Sequence, residues 1–221
     1  MIASTRLIFD TGYVPKDDFD YHASTEYGRS KIEVERMTLA EGADRVPCAI
    51  VRPTSIWGPW FGVPYRNFFL AISRGTYVHP RGRRIRKSMG YVGNVIYQLE
   101  QIATAPIDRV SGQVFYLADY EPLEVRAWAE DIAVACGAPA IRDVPIALLQ
   151  LLAAVGSTSA MLGLPAPLTR FRLKNLLADV TFDLAPTRAL AAACPFTERE
   201  GIEHTVDWLR STGAIPRLST H

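Results

Sequence analysis

The sequence predicts an α/β fold with a parallel sheet, and three observations carry that prediction. Short continuous apolar runs alternate with longer segments of helical period, the order that lays crossover helices on a parallel sheet. Three of the runs, MIAST (1–5), VPCAIV (46–51) and GQVFYLAD (112–119), read as strands, and VPCAIV is continuously apolar, as strands buried on both faces are. The 221 residues are 48% hydrophobic and 21% charged, which supports a sizeable core and excludes a disordered chain. Only about three strand candidates occur, against roughly 5–6 in a usual sheet, so the sheet reads as partial.

In chain order, MIAST is the first strand and GYVPKDDFDYHAST (12–25) a polar loop with turn residues. A helix is expected from about Thr25 to Glu41, with Ser24 or Thr25 placed to cap it and Gly42 to end it. VPCAIV is the second strand. The Gly/Pro-rich connection RPTSIWGPWFGVP (52–64) leads to a helix, YRNFFLAISRG (65–75). A basic loop, HPRGRRIRKS (79–88), precedes a helix over 93–105. GQVFYLAD is the third strand. The helix PLEVRAWAEDIAVACG (122–137) has Pro122 in its first turn and Gly137 after its last. The segment VPIALLQLLAAVGSTSAMLGLP (144–165) is apolar, but its continuous part is shorter than the ~20 residues of a span and GSTS interrupts it. Residues 144–164 are therefore expected as a buried or surface-docked helix, with membrane contact as the alternative and no transmembrane span. In REGIEHTVDWLRSTG (199–213), Ile202, Val206 and Leu209 share one stripe of an amphipathic helix.

Composition narrows the function. A net charge of +1 argues against a nucleic-acid binder that relies on overall basicity. Cys48, Cys136 and Cys194 are odd in number, far apart and set in apolar sequence, as reduced core thiols of a cytoplasmic protein are. The N-terminus has no signal-peptide pattern. His22, His79, His204 and His221 have no metal-ligand spacing and read as surface or loop residues, so no metal is expected.

One pair carries chemistry. In STEYGRSKIEVER (24–36), Tyr27 and Lys31 lie four apart and share a helical face. A free tyrosine, with a pKa near ~10, is a poor base at neutral pH, and a cation held close stabilises the tyrosinate. The pair can thus supply a general acid/base. Equally, the spacing alone fits an aromatic ring packed on a lysine stem. Ser4 and Thr5 close the first strand, where a hydroxyl can share a reacting oxygen with the tyrosine. VRPTSIWGP (51–59) begins at the end of the second strand. Trp57 and Trp60 there suit either a sugar-lining or a loop-packing role.

Together, ST at 4–5, YGRSK at 27–31, RPTSIWGP at 52–59, YVGNVIYQLEQI at 91–102 and the closing PFTEREGIEHTVDWLR make the chain resemble the extended short-chain dehydrogenases/reductases. The resemblance is to the NAD-dependent epimerase/dehydratase group that acts on nucleotide sugars, and it runs from about residue 2 to 212. It implies a partial Rossmann-like parallel sheet followed by a mainly helical substrate lobe. Residues 1–60 would be the C-terminal part of the catalytic domain and 61–221 the lobe, with the strand near 112–119 returning to the sheet.

By the same resemblance, Thr5 orients the substrate, Tyr27 is the catalytic base, and Lys31 assists it and holds the nicotinamide ribose. Arg52, Pro53 and Thr54 run past the nicotinamide. Ser4, Ser55, Asn67 and Arg86 or Lys87 face the substrate. Ser55 stands where many members have asparagine, and Lys87 where arginine is usual, which keeps a charge but loses the bidentate fork. The basic stretch RGRRIRK (81–87) suits a diphosphate, and equally a solvated loop.

The resemblance implies NAD or NADP as cofactor and a nucleotide-sugar-like small molecule as substrate. The family's Gly-rich turn after its first strand, which holds the pyrophosphate on a helix N-terminus, has no counterpart here. Several βα units are absent, at ~30 residues each roughly a hundred residues. The chain thus reads as the C-terminal part of such a protein, with weak or no binding of the cofactor by itself. Its open sheet edge favours a homodimer or another association. The alternative to an impaired enzyme is a non-catalytic remnant or partner-binding fragment.

Overall fold

The computed structural model describes residues 1–42, 46–161, 163 and 168–216. Strand β1 (Ile2–Ala3) leads through a single 3-10 turn (Arg6–Ile8) to helix α1 (Glu26–Gly42). There follow β2 (Ile50–Pro53), β3 (Ser55–Trp57), α2 (Tyr65–Ser73), β4 (Val78–Pro80), β5 (Arg86–Lys87), β6 (Met89–Tyr91) and α3 (Val92–Thr104). After α4 (Ile107–Val110) come β7 (Val114–Leu117), β8 (Leu123–Glu124), α5 (Val125–Cys136), β9 (Arg142–Val144), α6 (Ile146–Met161), α7 (Arg170–Leu177), α8 (Ala185–Leu190) and α9 (Glu198–Ser211).

The fold is α/β, with a parallel three-stranded sheet in the order β1-β2-β7. Among the described residues β1 has a neighbour on one side only. The third expected strand is β7, whose Phe115 lies opposite Val51 of β2. The second forms later than its apolar run suggests. Val46 is exposed and Pro47 has no N–H to give a ladder, whereas Arg52 extends β2 because it finds partners inside the fold. Three further strand pairs, β3 with β6, β4 with β9 and β5 with β8, were not expected, and β8 forms where the sequence predicts the first turn of a helix.

Two compact units result. The first comprises 1–61, 88–122 and 181–205. Its core packs Val51, Phe115 and Leu117 of the sheet against Val95 and Ile102 of α3, and on the other side Ile8, Phe9 and Ile32 against Tyr116 and Leu184. Gly90 and Gly93 permit this. A Cβ on Gly90 would lie 2.6 Å from Val95, and one on Gly93 2.7 Å from the Phe196 ring.

The second unit comprises 62–87, 123–180 and 206–221. Trp128 of α5 stacks on Phe68 of α2, and α6 and α7 pack through Leu149, Ala153 and Leu173. Helix α9 begins in the first unit and ends in the second, with Ile202, Val206 and Leu209 buried.

Several expectations are corrected. Helix α5 starts at Val125, not Pro122, because the Glu124 carboxylate accepts from the N–H groups of Arg126 and Ala127 and caps it. The basic loop contains β5. His79 is buried in β4, with its ring held by the Tyr77 hydroxyl and the Arg83 carbonyl. The cysteines are free thiols, but half-buried rather than core. Of the helix expected over 144–164, Ile146–Met161 is observed, and residues 162 and 164 lie outside the described residues, as does His221.

Candidate active site

The first strand ends in two buried hydroxyl residues, Ser4 and Thr5. The N–H groups of Ile2 and Ser4 donate to the carbonyls of Ala49 and Val51, at 2.7 and 2.8 Å. Residues 2 and 4 therefore bond toward β2, and the Ala3 carbonyl points to the open side. At Thr5 the chain leaves the sheet. The Thr5 hydroxyl oxygen accepts from the Leu7 N–H at 3.2 Å, which caps the 3-10 turn and leaves its proton to donate. Ser4 is 5% exposed, and its Oγ has no hydrogen-bond partner among the described residues. A buried hydroxyl without a partner costs about 1–3 kcal/mol.

Helix α1 is seated on this strand end. Thr25 caps it, its Oγ1 accepting from the Gly28 N–H at 3.0 Å. Ser24 is held instead by Asp10, to which it donates both its N–H, at 2.9 Å, and its hydroxyl, at 2.5 Å. Those Ser24 hydrogen bonds, with His22 beside them, hold the Asp10 carboxyl below its usual value against the opposing effect of burial. At Gly28 the helix meets the 3-10 turn so closely that a Cβ would lie 2.3 Å from the Leu7 carbonyl oxygen.

Tyr27, the preceding residue, is 52% exposed. Lys31 is half-buried, its Nζ 6.0 Å from the Tyr27 ring centroid and donating to the Ala3 carbonyl at 3.0 Å. One helical face thus carries a phenol and an ammonium, and the ammonium is fastened to the residue before Ser4 and Thr5.

The end of β2 faces inward more than its sequence suggests. Arg52 is fully buried, and its five N–H groups all have acceptors: both Glu35 carboxylate oxygens, at 2.6 and 3.0 Å, Asp18 through carboxylate and carbonyl, and the Tyr116 hydroxyl. Its guanidinium therefore belongs to the core, which leaves only backbone for a ligand. Glu35, two turns beyond Tyr27, also accepts from the Tyr21 hydroxyl at 2.8 Å. Burial, and then Glu35, push that phenol above its ordinary value.

Pro53 lies in the ladder opposite Leu117, and the Thr54 hydroxyl donates to the Leu117 carbonyl at 3.0 Å. Ser55 is half-buried in β3. Trp57 is fully buried against Tyr91, while Trp60, with φ of 63°, is exposed. The pair does not act together as a sugar lining.

In the second unit, Asn67 is exposed on α2 and Arg86 on β5. Lys87 is different. Its Nζ donates to the carbonyls of Asn175 and Ala178 at the end of α7, 2.8 and 3.0 Å away. A cation there satisfies terminal helix carbonyls and complements the dipole.

Two features were missed in the sequence, the Glu35–Arg52 pair and the Asp10–Ser24 clamp. Glu35 stands four residues after Lys31, which places it on the same side of the helix, but nothing local reveals that it is buried. A surface hollow of about 500 Å³ lined by Tyr21, His22, Arg29, Glu33 and Arg36 lies along another face of α1, away from Tyr27 and Lys31. No group of three or more His, Cys, Asp or Glu among the described residues could hold a metal ion.

No family model matches the chain. It is 28% identical to the uncharacterized protein YbjS of Escherichia coli (strain K12), over 98% of the chain and 67% of that protein. It is also 28% identical to a 3 beta-hydroxysteroid dehydrogenase/Delta 5-->4-isomerase of Mycobacterium tuberculosis (strain CDC 1551 / Oshkosh), over 73% of the chain and 46% of that enzyme. Among solved structures, UDP-glucuronic acid 4-epimerase from Bacillus cereus, in complex with UDP-glucuronic acid and NAD, superposes with a TM-score of 0.64 at 12% identity, over 95% of this chain and 60% of that one.

The fold is therefore the Rossmann-like fold of the NAD-dependent epimerases and dehydratases. In sequence the chain is similar to hydroxysteroid dehydrogenases of the same extended short-chain dehydrogenase/reductase type, of whose M. tuberculosis member it spans about half the length.

Proposed function

We propose that the chain is the acid/base half of an NAD(P)-dependent oxidoreductase of the epimerase/dehydratase type, acting on a secondary alcohol or the matching ketone. The observation that carries this reading is the Lys31–Ala3 hydrogen bond, which ties the Tyr27–Lys31 helix face to the Ser4–Thr5 strand end. Tyr27 exchanges the proton of the substrate oxygen, Ser4 and Thr5 supply hydroxyls to that oxygen, and Lys31 keeps a positive charge beside the ring. The unsatisfied Ser4 hydroxyl fits the nicotinamide end of the cofactor and its substrate; Tyr27 and Lys31 would hold the ribose. NAD(P) supplies the hydride acceptor. These 221 residues contain no Gly-rich turn for its pyrophosphate.

Two substrate classes fit. Exposed Arg86 and Asn67 favour the diphosphate of a nucleotide sugar. The engagement of Lys87 at α7, together with the similarity to a hydroxysteroid dehydrogenase, favours an apolar hydroxy compound with no phosphate. Titration calorimetry of the 221-residue chain should give weak or no NAD(P) binding; micromolar affinity would refute the account of the cofactor site. Joined to a relative's Gly-rich cofactor segment, the chain should reduce NAD(P) with one of two panels, hydroxysteroids or UDP-sugars. Tyr27→Phe should then cost ~10²–10⁴-fold in turnover. Retention of turnover in that variant makes Tyr27 a packing residue and sinks the reading.

A further inference from the structure

In the second unit, α6 turns an apolar stripe to solvent. Leu148, Leu151, Leu152 and Val155 recur at i, i+3, i+4 and i+7 and are 44%, 62%, 50% and 59% exposed. The opposite side of the same helix is apolar too, since Leu149 and Ala153 are buried with Leu173 and pack on Val78 and Val144. No residue of α6 carries a charge. A surface helix of a water-exposed unit ordinarily presents polar residues outward, so the stripe requires an explanation.

The charge beside it has one sign. Helix α7 packs on α6, its first residue Arg170 donating a backbone N–H to Ser157 Oγ at 2.9 Å. Arg170, Arg172 and Lys174 are exposed, as is Phe171 at 67%. Between Asp143 and Asp179 the sequence holds three basic residues and no carboxylate. Residues 81–87, with five basic residues and no carboxylate, continue from β4, against which α6 packs. They are joined to the end of α7 by the Lys87 hydrogen bonds and by the Arg86 N–H to Asp179.

We propose that the α6–α7 hairpin is a docking surface for an anionic lipid bilayer. The α6 stripe enters the headgroup–acyl boundary, while the cations of α7 and the exposed arginines of 81–86 lie on the lipid headgroups. An uncharged apolar helix face bordered by the cations of α7, in a stretch without carboxylates from 144 to 178, complements that surface in both hydrophobicity and charge. A second copy of the chain would set two basic surfaces against each other, so the charge pattern favours lipid. The insertion is shallow, because no helix among the described residues is long and apolar enough to cross a membrane. This inference stands independently of the redox reading.

Flotation of the 221-residue chain with vesicles tests it. The chain should bind phosphatidylcholine vesicles that contain phosphatidylglycerol, bind pure phosphatidylcholine far less, and be released by salt. Arg170→Ala and Lys174→Ala should each lower partitioning by about fivefold. Leu151→Ser with Val155→Ser should abolish it, and because both side chains are exposed the circular dichroism spectrum should not change. Three results would overturn the proposal: no binding to the anionic vesicles, equal binding to neutral ones, or unaltered binding by these variants. So would a dimer, seen by sedimentation equilibrium, that Leu151→Ser dissociates and vesicles fail to compete with.

Discussion

Asp10 holds Ser24, the residue before the Thr25 cap of α1. Its carboxylate receives two hydrogen bonds from Ser24, three residues before Tyr27, and its folded-state pKa is lowered by them. A lowered carboxylate pKa adds stability that is present above the unfolded value, ~3.9, and is lost as pH falls through the folded one. The protection of amides at the start of α1, relative to their intrinsic exchange rates, should therefore fall below about pH 4 in the wild type. In Asp10→Asn that protection should already be lower at neutral pH and change little on acidification. An unaltered pH profile in the variant would remove Asp10 from this role. The Tyr27–Lys31 pair was legible from its spacing, because i, i+4 residues share a face whatever the tertiary context. The Asp10 clamp was not, because it joins residues 14 apart across a loop with no periodicity.

At the scale of elements, α1 is fixed at two points. Its first turn meets the 3-10 segment at Gly28, and its third turn meets β2 through Glu35 and Arg52. Gly28→Ala drives a methyl group into the Leu7 carbonyl, so it should destabilise by about 1–3 kcal/mol through overpacking, seen as a lower urea midpoint. Glu35→Ala leaves the fully buried Arg52 without its main partner and should cost about 3–5 kcal/mol. Adding Arg52→Met should restore part of that loss, and an additive double mutant would deny the coupling. The sequence made the long helices plain, since their apolar stripes repeat over several turns. The two- and three-residue strands β4, β5, β8 and β9 were hidden. Their pairing is set by partners far away in the chain, and a segment as basic as 81–87 reads as solvated loop.

For the molecule as a whole, the order of strands and helices was readable, because each of the three apolar runs supplies one strand of the β1-β2-β7 sheet. The weaving of each compact unit from several segments was not readable, since composition does not change at residues 61, 87, 122 or 180. A sheet with one open margin is a template for a foreign strand. The Ala3 carbonyl faces that margin, and Lys31 occupies it. Among the described residues Lys31 thus fills a hydrogen-bonding position that a further strand beside β1 would use, as lysines on edge strands do. Lys31→Ala should increase light scattering on incubation near the unfolding midpoint, whereas Tyr27→Phe should not. If both variants stay equally clear, the lysine has no guarding role. If they differ, Lys31 contributes to solubility separately from its place beside Tyr27.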